Sequence, residues 1–219
     1  MKKIIIGIFM FVLPLTAAKA IEGVNIGVSL TGGVFETSAK ETEGDEISAP
    51  KDAEALYAIG SIFVEKTLGD KFAIGFDYVP HALETETSEH IQDDLKGVSD
   101  GASSSVTNKV QVDFEDMMTL YGTLALNDNI YFKAGYTEVD MVTNENLGTG
   151  STYGNKTLDG IILGLGYNRD LDSGVFVRAE GNWMKFDGVT LTSTNNSDNS
   201  VTADDIDGFG ARISVGKSF

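Results

Sequence analysis

The chain has 219 residues, and its 33 acidic and 16 basic residues give a formal net charge of −17. This excess of negative charge excludes nucleic acid as a partner, because phosphate backbones repel an acidic surface. The absence of cysteine excludes disulfide scaffolds, cysteine metal sites and cysteine nucleophiles. Twenty-five glycines against three prolines favour many strands punctuated by glycine.

The first twenty residues have the pattern of a secretory signal peptide. A basic start precedes an apolar run over residues 4–15, which is too short for a permanent membrane helix. Ala18 and Ala20 place small residues at both recognition positions of a cleavage site. We therefore expect residues 1–20 to be removed and residues 21–219 to form one β-barrel domain.

Eight later segments alternate apolar residues with small or polar ones, which is typical of strands with one apolar face. In the last segment the apolar positions are Phe209, Ala211, Ile213 and Val215, and glycine, serine and Arg212 lie between them. The predicted strands are residues 23–35, 54–66, 71–80, 108–126, 130–142, 157–168, 174–186 and 206–219.

One strand has an ambiguous register. Either Leu56, Ala58, Ile62 and Val64 or Tyr57, Ile59 and Phe63 form the apolar face of residues 54–66. We favour the first set and leave the alternative open.

Short and long connections alternate strictly along the chain. The short ones are residues 67–70, 127–129 and 169–173, and the long polar ones are residues 36–53, 81–107, 143–156 and 187–205. An up-and-down meander with its long loops and its termini at opposite ends has this pattern. We therefore predict an all-β fold, an eight-stranded antiparallel up-and-down transmembrane β-barrel, and not a soluble sandwich.

The less apolar face of each strand is mostly glycine, as expected for the interior of a narrow barrel, where small residues leave space for a few large ones. The large charged residues on that face carry both signs, and we expect them to fill the lumen as a network of ion pairs, because an unpaired buried charge is costly. These residues are Asp77, Lys133, Arg178, Glu180 and Arg212, with Glu115 and Glu65 expected near the two mouths.

The opposite face is predicted to contact lipid. Its aromatic residues lie near strand ends, like the interfacial girdles of membrane barrels: Phe72, Tyr78, Tyr136, Tyr167, Trp183 and Phe219. Asp116 lies on the same face ten residues before Leu126, which predicts that it marks the outer rim.

These features together resemble the small outer-membrane β-barrel proteins, the OmpA-like transmembrane and opacity-type group. The resemblance covers the mature chain and rests on the signal peptide, the eight-strand meander, the glycine-lined inner face and the terminal Phe219. It implies location in the bacterial outer membrane, contact with outer-membrane lipids and lipopolysaccharide, and a monomeric state. It also implies that the barrel-assembly machinery reads the last strand, through Phe209, Ala211, Ile213, Val215 and Phe219. Lys217 departs from the pattern, because an aromatic residue is usual at that position.

Three classes of function are compatible with this pattern. We favour a non-enzymatic integral outer-membrane protein with a filled lumen and acidic extracellular loops, in a structural or surface-interaction role. The alternative is a narrow porin-like pore for small solutes, and a third class is a lipid-modifying enzyme at the rim. The enzyme alternative would use Ser88, Glu89 and His90, which lie close together in a polar loop. We expect them to be ordinary loop residues, and we expect no catalytic residue, cofactor or metal. No loop motif identifies an extracellular ligand.

Overall fold

The computed structural model describes residues 22–43, 45–85, 87–94, 104–147 and 151–219. The predicted signal peptide and its cleavage site, at Ala18 and Ala20, lie outside these residues. No helix in the described part of the chain is long and apolar enough to cross a membrane.

Eight long antiparallel strands form the barrel. In chain order they are β1 (Val24–Glu43), β2 (Lys51–Leu68), β3 (Phe72–Tyr78), β4 (Ser104–Ala125), β5 (Ile130–Leu147), β6 (Lys156–Asp170), β7 (Val175–Phe186) and β8 (Ile206–Ser218). Each strand pairs with the next, and β1 pairs with both β2 and β8, so the sheet closes into a ring. The predicted eight-stranded up-and-down β-barrel is confirmed.

Gly23, near the start of the described residues, and Phe219 both lie at the end of the barrel that carries the short turns. The Gly23 backbone N–H donates to the Phe219 carbonyl at 2.7 Å, and the Thr67 N–H donates to the Gly23 carbonyl at 2.8 Å. Gly69, in the turn between β2 and β3, has a φ of +68°, a conformation that glycine adopts without strain. We call this the turn end and the opposite end the loop end.

The long connections contain more β-structure than we predicted. Most of predicted loop 36–53 belongs to the extended hairpin of β1 and β2, whose pairing continues to Ala39 opposite Lys51. Additional short strands are Glu46–Ile47, Leu83–Glu84, Ser88–Asp94, Val189–Thr192 and Asn199–Ala203. The predicted strand ends at residues 35 and 54 were wrong, because backbone hydrogen bonding between two strands can continue beyond the membrane where both strands extend side by side.

The outward face forms an apolar belt around the barrel. Its members include Ile26, Val28, Leu30, Ile62, Val64, Phe72, Ile74, Phe76, Leu120, Phe132, Leu163, Leu165, Ile213 and Val215, all of which are exposed. Tyr57, Ile59 and Phe63 are buried inside, whereas Leu56 is 86% exposed. The favoured register of β2 is therefore confirmed.

Aromatic rings cover the glycines of the inner face. A Cβ added to Gly75 would collide with the Tyr121 ring, and one added to Gly166 would collide with the Tyr131 ring. Phe63 lies against Gly27 in the same way. The glycines therefore make space for rings from adjacent strands as well as for charges, an arrangement that fixes the register between strands.

The loop-end half of the lumen is apolar. Ten buried residues pack together there: Tyr57, Ile59, Val79, Val139, Met141, Leu158, Ile162, Met184, Phe186 and Val189. We did not predict this core. It allows the strands to continue beyond the lipid belt as a packed barrel, because burying apolar area stabilises the extension without membrane contact.

A β-bulge in β4 reverses which residues face inward. The register with β5 shifts between Glu115 and Met118, and Asp116 has a φ of +50°. Thr119 and Tyr121 are buried after the bulge, while Phe114 packs against the apolar core before it. Glu115 is consequently exposed, and its expected place in the lumen was wrong because one extra residue inverts the alternation.

Candidate functional site

Six charged side chains meet in the turn-end half of the lumen. The structure brings together all five predicted residues, Asp77, Lys133, Arg178, Glu180 and Arg212, and adds Glu65. They form three ion pairs, Arg178–Glu65, Lys133–Glu180 and Arg212–Asp77, with three positive and three negative groups. We call these six residues the charge layer.

The Arg178–Glu65 pair has the most complete geometry. The two guanidinium nitrogens Nη1 and Nη2 donate to Oε1 and Oε2 at 2.6 Å and 2.8 Å. Glu65 is 1% exposed, and it also accepts hydrogen bonds from the Tyr121 hydroxyl at 2.9 Å and from Asn25 Nδ2 at 3.2 Å. A bidentate pair whose carboxylate accepts further hydrogen bonds is the arrangement that offsets the cost of burying both charges.

The other two pairs are also surrounded by hydrogen-bonding groups. Glu180 accepts from Lys133 Nζ at 3.3 Å and from the Tyr131 hydroxyl at 2.9 Å. Arg212 contacts Asp77 directly, and Asp77 accepts a hydrogen bond from the Ser61 hydroxyl at 3.1 Å. Each carboxylate of the charge layer therefore has a cation and at least one hydroxyl as partners.

Aromatic rings pack against the cations. The Arg178 guanidinium carbon lies 4.5 Å from the centre of the Phe176 ring and 5.3 Å from that of Tyr131, and Lys133 Nζ lies 4.6 Å from that of Tyr121. At such distances ring faces attract the cations. The rings also fill the space between the side chains of the charge layer.

Little open volume is left. The cavity at the charge layer measures about 10 Å³ and is lined by side chains that include Phe63, Thr123 and Ser214. This is about the volume that one water molecule needs. The charge layer and the rings around it thus pack together in the turn-end half of the lumen, and ten buried apolar residues pack together in the loop-end half.

Sequence reasoning missed the central position of Glu65 and the part played by the rings. Glu65 was expected near a mouth of the lumen, whereas it accepts hydrogen bonds from Arg178, Tyr121 and Asn25 within the charge layer. Tyr121, Tyr131 and Phe176 occupy inward-facing positions of their strands, and neighbouring strands carry glycine opposite them: Gly75, Gly166 and Gly216. This pairing of an aromatic residue with a glycine on the next strand could have been recognised from the sequence once the strand order and register were known.

The side chains of Ser88 and His90, two residues of the catalytic alternative, lie outside the described part of the structure. His81 Nε2 accepts a hydrogen bond from the Gly60 backbone N–H at 3.0 Å, where β3 has ended beside β2. Glu89 is paired with Lys109 at 2.6 Å, and its strand Ser88–Asp94 is hydrogen-bonded to β4. Within the described ranges, no group of three or more acidic or histidine side chains could hold a metal ion.

Three aromatic side chains at the loop-end edge of the apolar belt donate hydrogen bonds to aspartates. Tyr78 donates to Asp116 at 2.6 Å, Trp183 Nε1 donates to Asp207 at 3.0 Å, and Tyr136 donates to Asp159. In each case the ring lies on the belt side and the carboxylate on the loop side. The position is that of an interfacial girdle, in which the ring is apolar and its polar atom is wet.

A surface ion pair lies beyond this edge. Lys185 Nζ contacts Asp205 Oδ2 at 2.7 Å, and both side chains are exposed. The hydrogen bond from Lys185, helped by the Gly188 backbone N–H, holds the pKa of the Asp205 carboxyl below its usual value.

The predicted assembly residues lie on the last strand as expected from its alternation. Phe209, Ile213 and Val215 are half exposed or more, and Ala211 lies between them on the same outward face. The Phe219 N–H donates to the Val24 carbonyl at 2.9 Å, so the last residue is joined to the first strand.

The sequence matches no protein-family model, and no curated protein is similar to it at a significant level. Among solved structures, the outer membrane protein AlkL, determined in lipid bilayers, matches with a TM-score of 0.50 and 14% identity over 94% of this chain and 95% of AlkL. The outer membrane protein OprG of Pseudomonas aeruginosa matches with a TM-score of 0.42 and 12% identity over 88% of this chain and 96% of OprG. The outer membrane protease OmpT of Escherichia coli matches with a TM-score of 0.45 and 10% identity over 90% of this chain and 96% of OmpT.

Identities this low speak to the fold alone. The closed ring of eight strands and its apolar outward belt agree with the likeness to AlkL. This chain therefore has the fold of the small bacterial outer-membrane β-barrel proteins.

Proposed function

We propose that this chain is a non-enzymatic integral outer-membrane protein that presents acidic β-hairpins outside the cell from a barrel closed by its own side chains. The observation that carries the proposal is the packing of side chains inside the barrel. A pore for solutes needs a continuous aqueous path, whereas the charge layer leaves about 10 Å³ and the apolar core lies above it.

The proposal assigns the interaction surface to the loop end. There, residues 151–155 are hydrogen-bonded to residues 192–199, with the Thr194 N–H donating to the Thr152 carbonyl at 2.7 Å and Asn199 Nδ2 donating to Ser151 Oγ at 3.2 Å. Ser151 and Ser193 are buried by these contacts. Two hairpins that hold each other in this way offer a fixed surface to a partner, whose chemistry we leave open.

The turn end faces the periplasm in this proposal. The proposed recognition of β8 by the barrel-assembly machinery, which acts from the periplasm, requires the turn end to lie on that side. A structural contribution to the envelope follows from the barrel itself, in contact with outer-membrane lipids and lipopolysaccharide.

Thiol labelling of intact cells tests the orientation, because the chain contains no cysteine. We expect Asn196→Cys, at the tip of an exposed loop-end hairpin, to react with a membrane-impermeant maleimide on intact cells. Asp128→Cys, in the turn between β4 and β5, should react only after the outer membrane is breached. The reverse pattern would contradict the proposed orientation.

A further inference from the structure

The charges on the outward face are sorted by sign between the two ends of the apolar belt. Beyond the belt at the loop end, the first charged outward residue of β1, β2, β4, β5, β6 and β8 is acidic: Glu36, Glu54, Asp116, Glu138, Asp159 and Asp207. The exception is Lys185 on β7, whose charge is neutralised by its ion pair with Asp205. At the turn end, the outward strand positions that carry charge are all basic: Lys66 on β2, Arg169 on β6 and Lys217 on β8. In a chain with a net charge of −17, this end of the belt is a local exception.

The three cations are not neutralised by nearby carboxylates. Lys109, Lys133, Arg178, Lys185 and Arg212 all form ion pairs, whereas Lys66, Arg169 and Lys217 form none with the residues that the structure describes. Lys71, in the turn before β3, and the loop-end residues Lys40, Lys51 and Lys156 also form none with these residues, but they do not lie on the outward face at the edge of the belt. The acids at this end occupy other positions. Glu22 precedes β1 and contacts Lys66 through its backbone carbonyl, Asp70, Asp128 and Asp172 are in the turns, and Asp170 is on an inward-facing position, where it accepts a hydrogen bond from Asn168.

Local contacts hold two of the ammonium groups at the edge of the belt. Lys66 Nζ donates to the Glu22 carbonyl at 2.5 Å, which leaves two of its three donors for another acceptor. Lys217 Nζ lies 5.5 Å from the centre of the Phe219 ring. Both side chains can keep their stems along the apolar surface and their charge at headgroup level.

The three residues lie on alternate strands of the series β2, β1, β8, β7, β6. Since adjacent strands are about 4.8 Å apart, neighbouring cations are separated by about 10 Å across the sheet. That separation suits one headgroup for each cation better than one anion held by all three.

We propose that Lys66, Arg169 and Lys217, which we call the basic rim, bind the headgroups of anionic phospholipids in the leaflet at the turn end. The charge complementarity is direct, because unpaired cations at the edge of a lipid-facing belt meet phosphate groups and not water. The acidic loop-end rim offers no such attraction, so binding also favours one orientation of the barrel in an asymmetric membrane. The inference rests on the membrane location but not on the closed lumen.

Native mass spectrometry of the detergent-solubilised protein tests it. The protein is equilibrated with equal amounts of phosphatidylglycerol and phosphatidylcholine of the same acyl chains, and the ratio of the two bound lipids is measured. We expect the wild type to retain phosphatidylglycerol preferentially. Each of Lys66→Gln, Arg169→Gln and Lys217→Gln should lower its retention by about fivefold, the factor that corresponds to about 1 kcal/mol for one cation near an anionic surface.

A matched control separates the rim from the overall charge. The triple variant Lys40→Gln/Lys51→Gln/Lys156→Gln removes the same charge from exposed positions at the loop end and should keep the wild-type preference. Three results would overturn the proposal: an equal loss of phosphatidylglycerol retention in this control, an unchanged preference in the variant Lys66→Gln/Arg169→Gln/Lys217→Gln, or no preference in the wild type. Displacement of the lipid by inorganic phosphate at the same concentration would also overturn it, since a simple anion site would then explain the binding.

Discussion

Replacing Arg178 by methionine should destabilise the barrel by about 3–5 kcal/mol, the usual cost of removing one partner from a buried ion pair. The substitution leaves Glu65, which is 1% exposed, with the hydrogen bonds of Tyr121 and Asn25 but without its cation. Urea unfolding in detergent measures the loss, and the fluorescence of the single tryptophan, Trp183, follows the transition.

Two further variants identify the cause. In Glu65→Gln/Arg178→Met the side chain carries no charge, and its amide oxygen can still accept from the Tyr121 hydroxyl. The NH2 group takes the place of the oxygen that accepted from Asn25, and the Asn25 amide can turn its own oxygen toward it, so most of the lost stability should return. Lys185→Met, which breaks the exposed pair with Asp205, should change the unfolding midpoint little, because exposed ion pairs contribute little. If Arg178→Met unfolded like the wild type, its pair with Glu65 would not be dry or buried.

Adding one methyl group at Gly75 or Gly166 should be as disruptive as removing a charge. The Cβ of alanine at Gly75 would occupy the ring of Tyr121, and that at Gly166 would occupy the ring of Tyr131. Both rings donate hydrogen bonds to carboxylates of the charge layer, at 2.9 Å each, and a displaced ring loses them. We expect Gly75→Ala and Gly166→Ala each to cost about 3 kcal/mol, the upper part of the range for overpacking.

Gly181→Ala provides the matched control. Gly181 is an outward-facing strand residue with no atom within 4 Å of an added Cβ, so the alanine meets no steric obstacle. Its unfolding midpoint should equal or exceed that of the wild type, since alanine restricts the unfolded chain more than glycine does. Similar losses at Gly75 and Gly181 would mean that glycine matters for strand flexibility and not for the rings.

The ring of eight strands was predictable from sequence because contact with lipid imposes a simple alternating pattern on the outward face. Alternation such as Ile213, Val215 and Lys217, with glycine or serine between, fixes which residues face lipid, and the alternation of short and long connections fixes the order of the strands. The register of β2 was decided only by the structure, because both of its faces are apolar.

Two features needed the three-dimensional arrangement. The bulge at Asp116 inverts the two faces of β4, and a single extra residue leaves no mark in the pattern of apolar residues on either side. The apolar core of the loop end, with Val139, Met141 and Leu158, lies on the face that is polar lower in the barrel. The inward face is therefore polar at the turn end and apolar at the loop end. The sequence analysis assigned one polarity to each face of a strand and could not predict this change.

The partner of each lumen charge also depended on the structure. Arg178 and Glu65 are 113 residues apart in sequence, and they meet because both side chains point into the same narrow lumen. The sequence predicted that opposite charges would meet. Which of the three cations pairs with which of the three acids depends on the position of each side chain along the barrel axis and on the aromatic rings between them.

Planar-bilayer recording of the refolded protein tests the central claim, that the barrel is closed by its own side chains. With a porin in the same bilayers as a positive control, folded wild-type protein should produce no conductance steps above the bare membrane. The charge layer leaves about 10 Å³, and the apolar core lies beyond it. Stable, reproducible steps from the folded wild type would contradict this account and support the narrow-pore alternative.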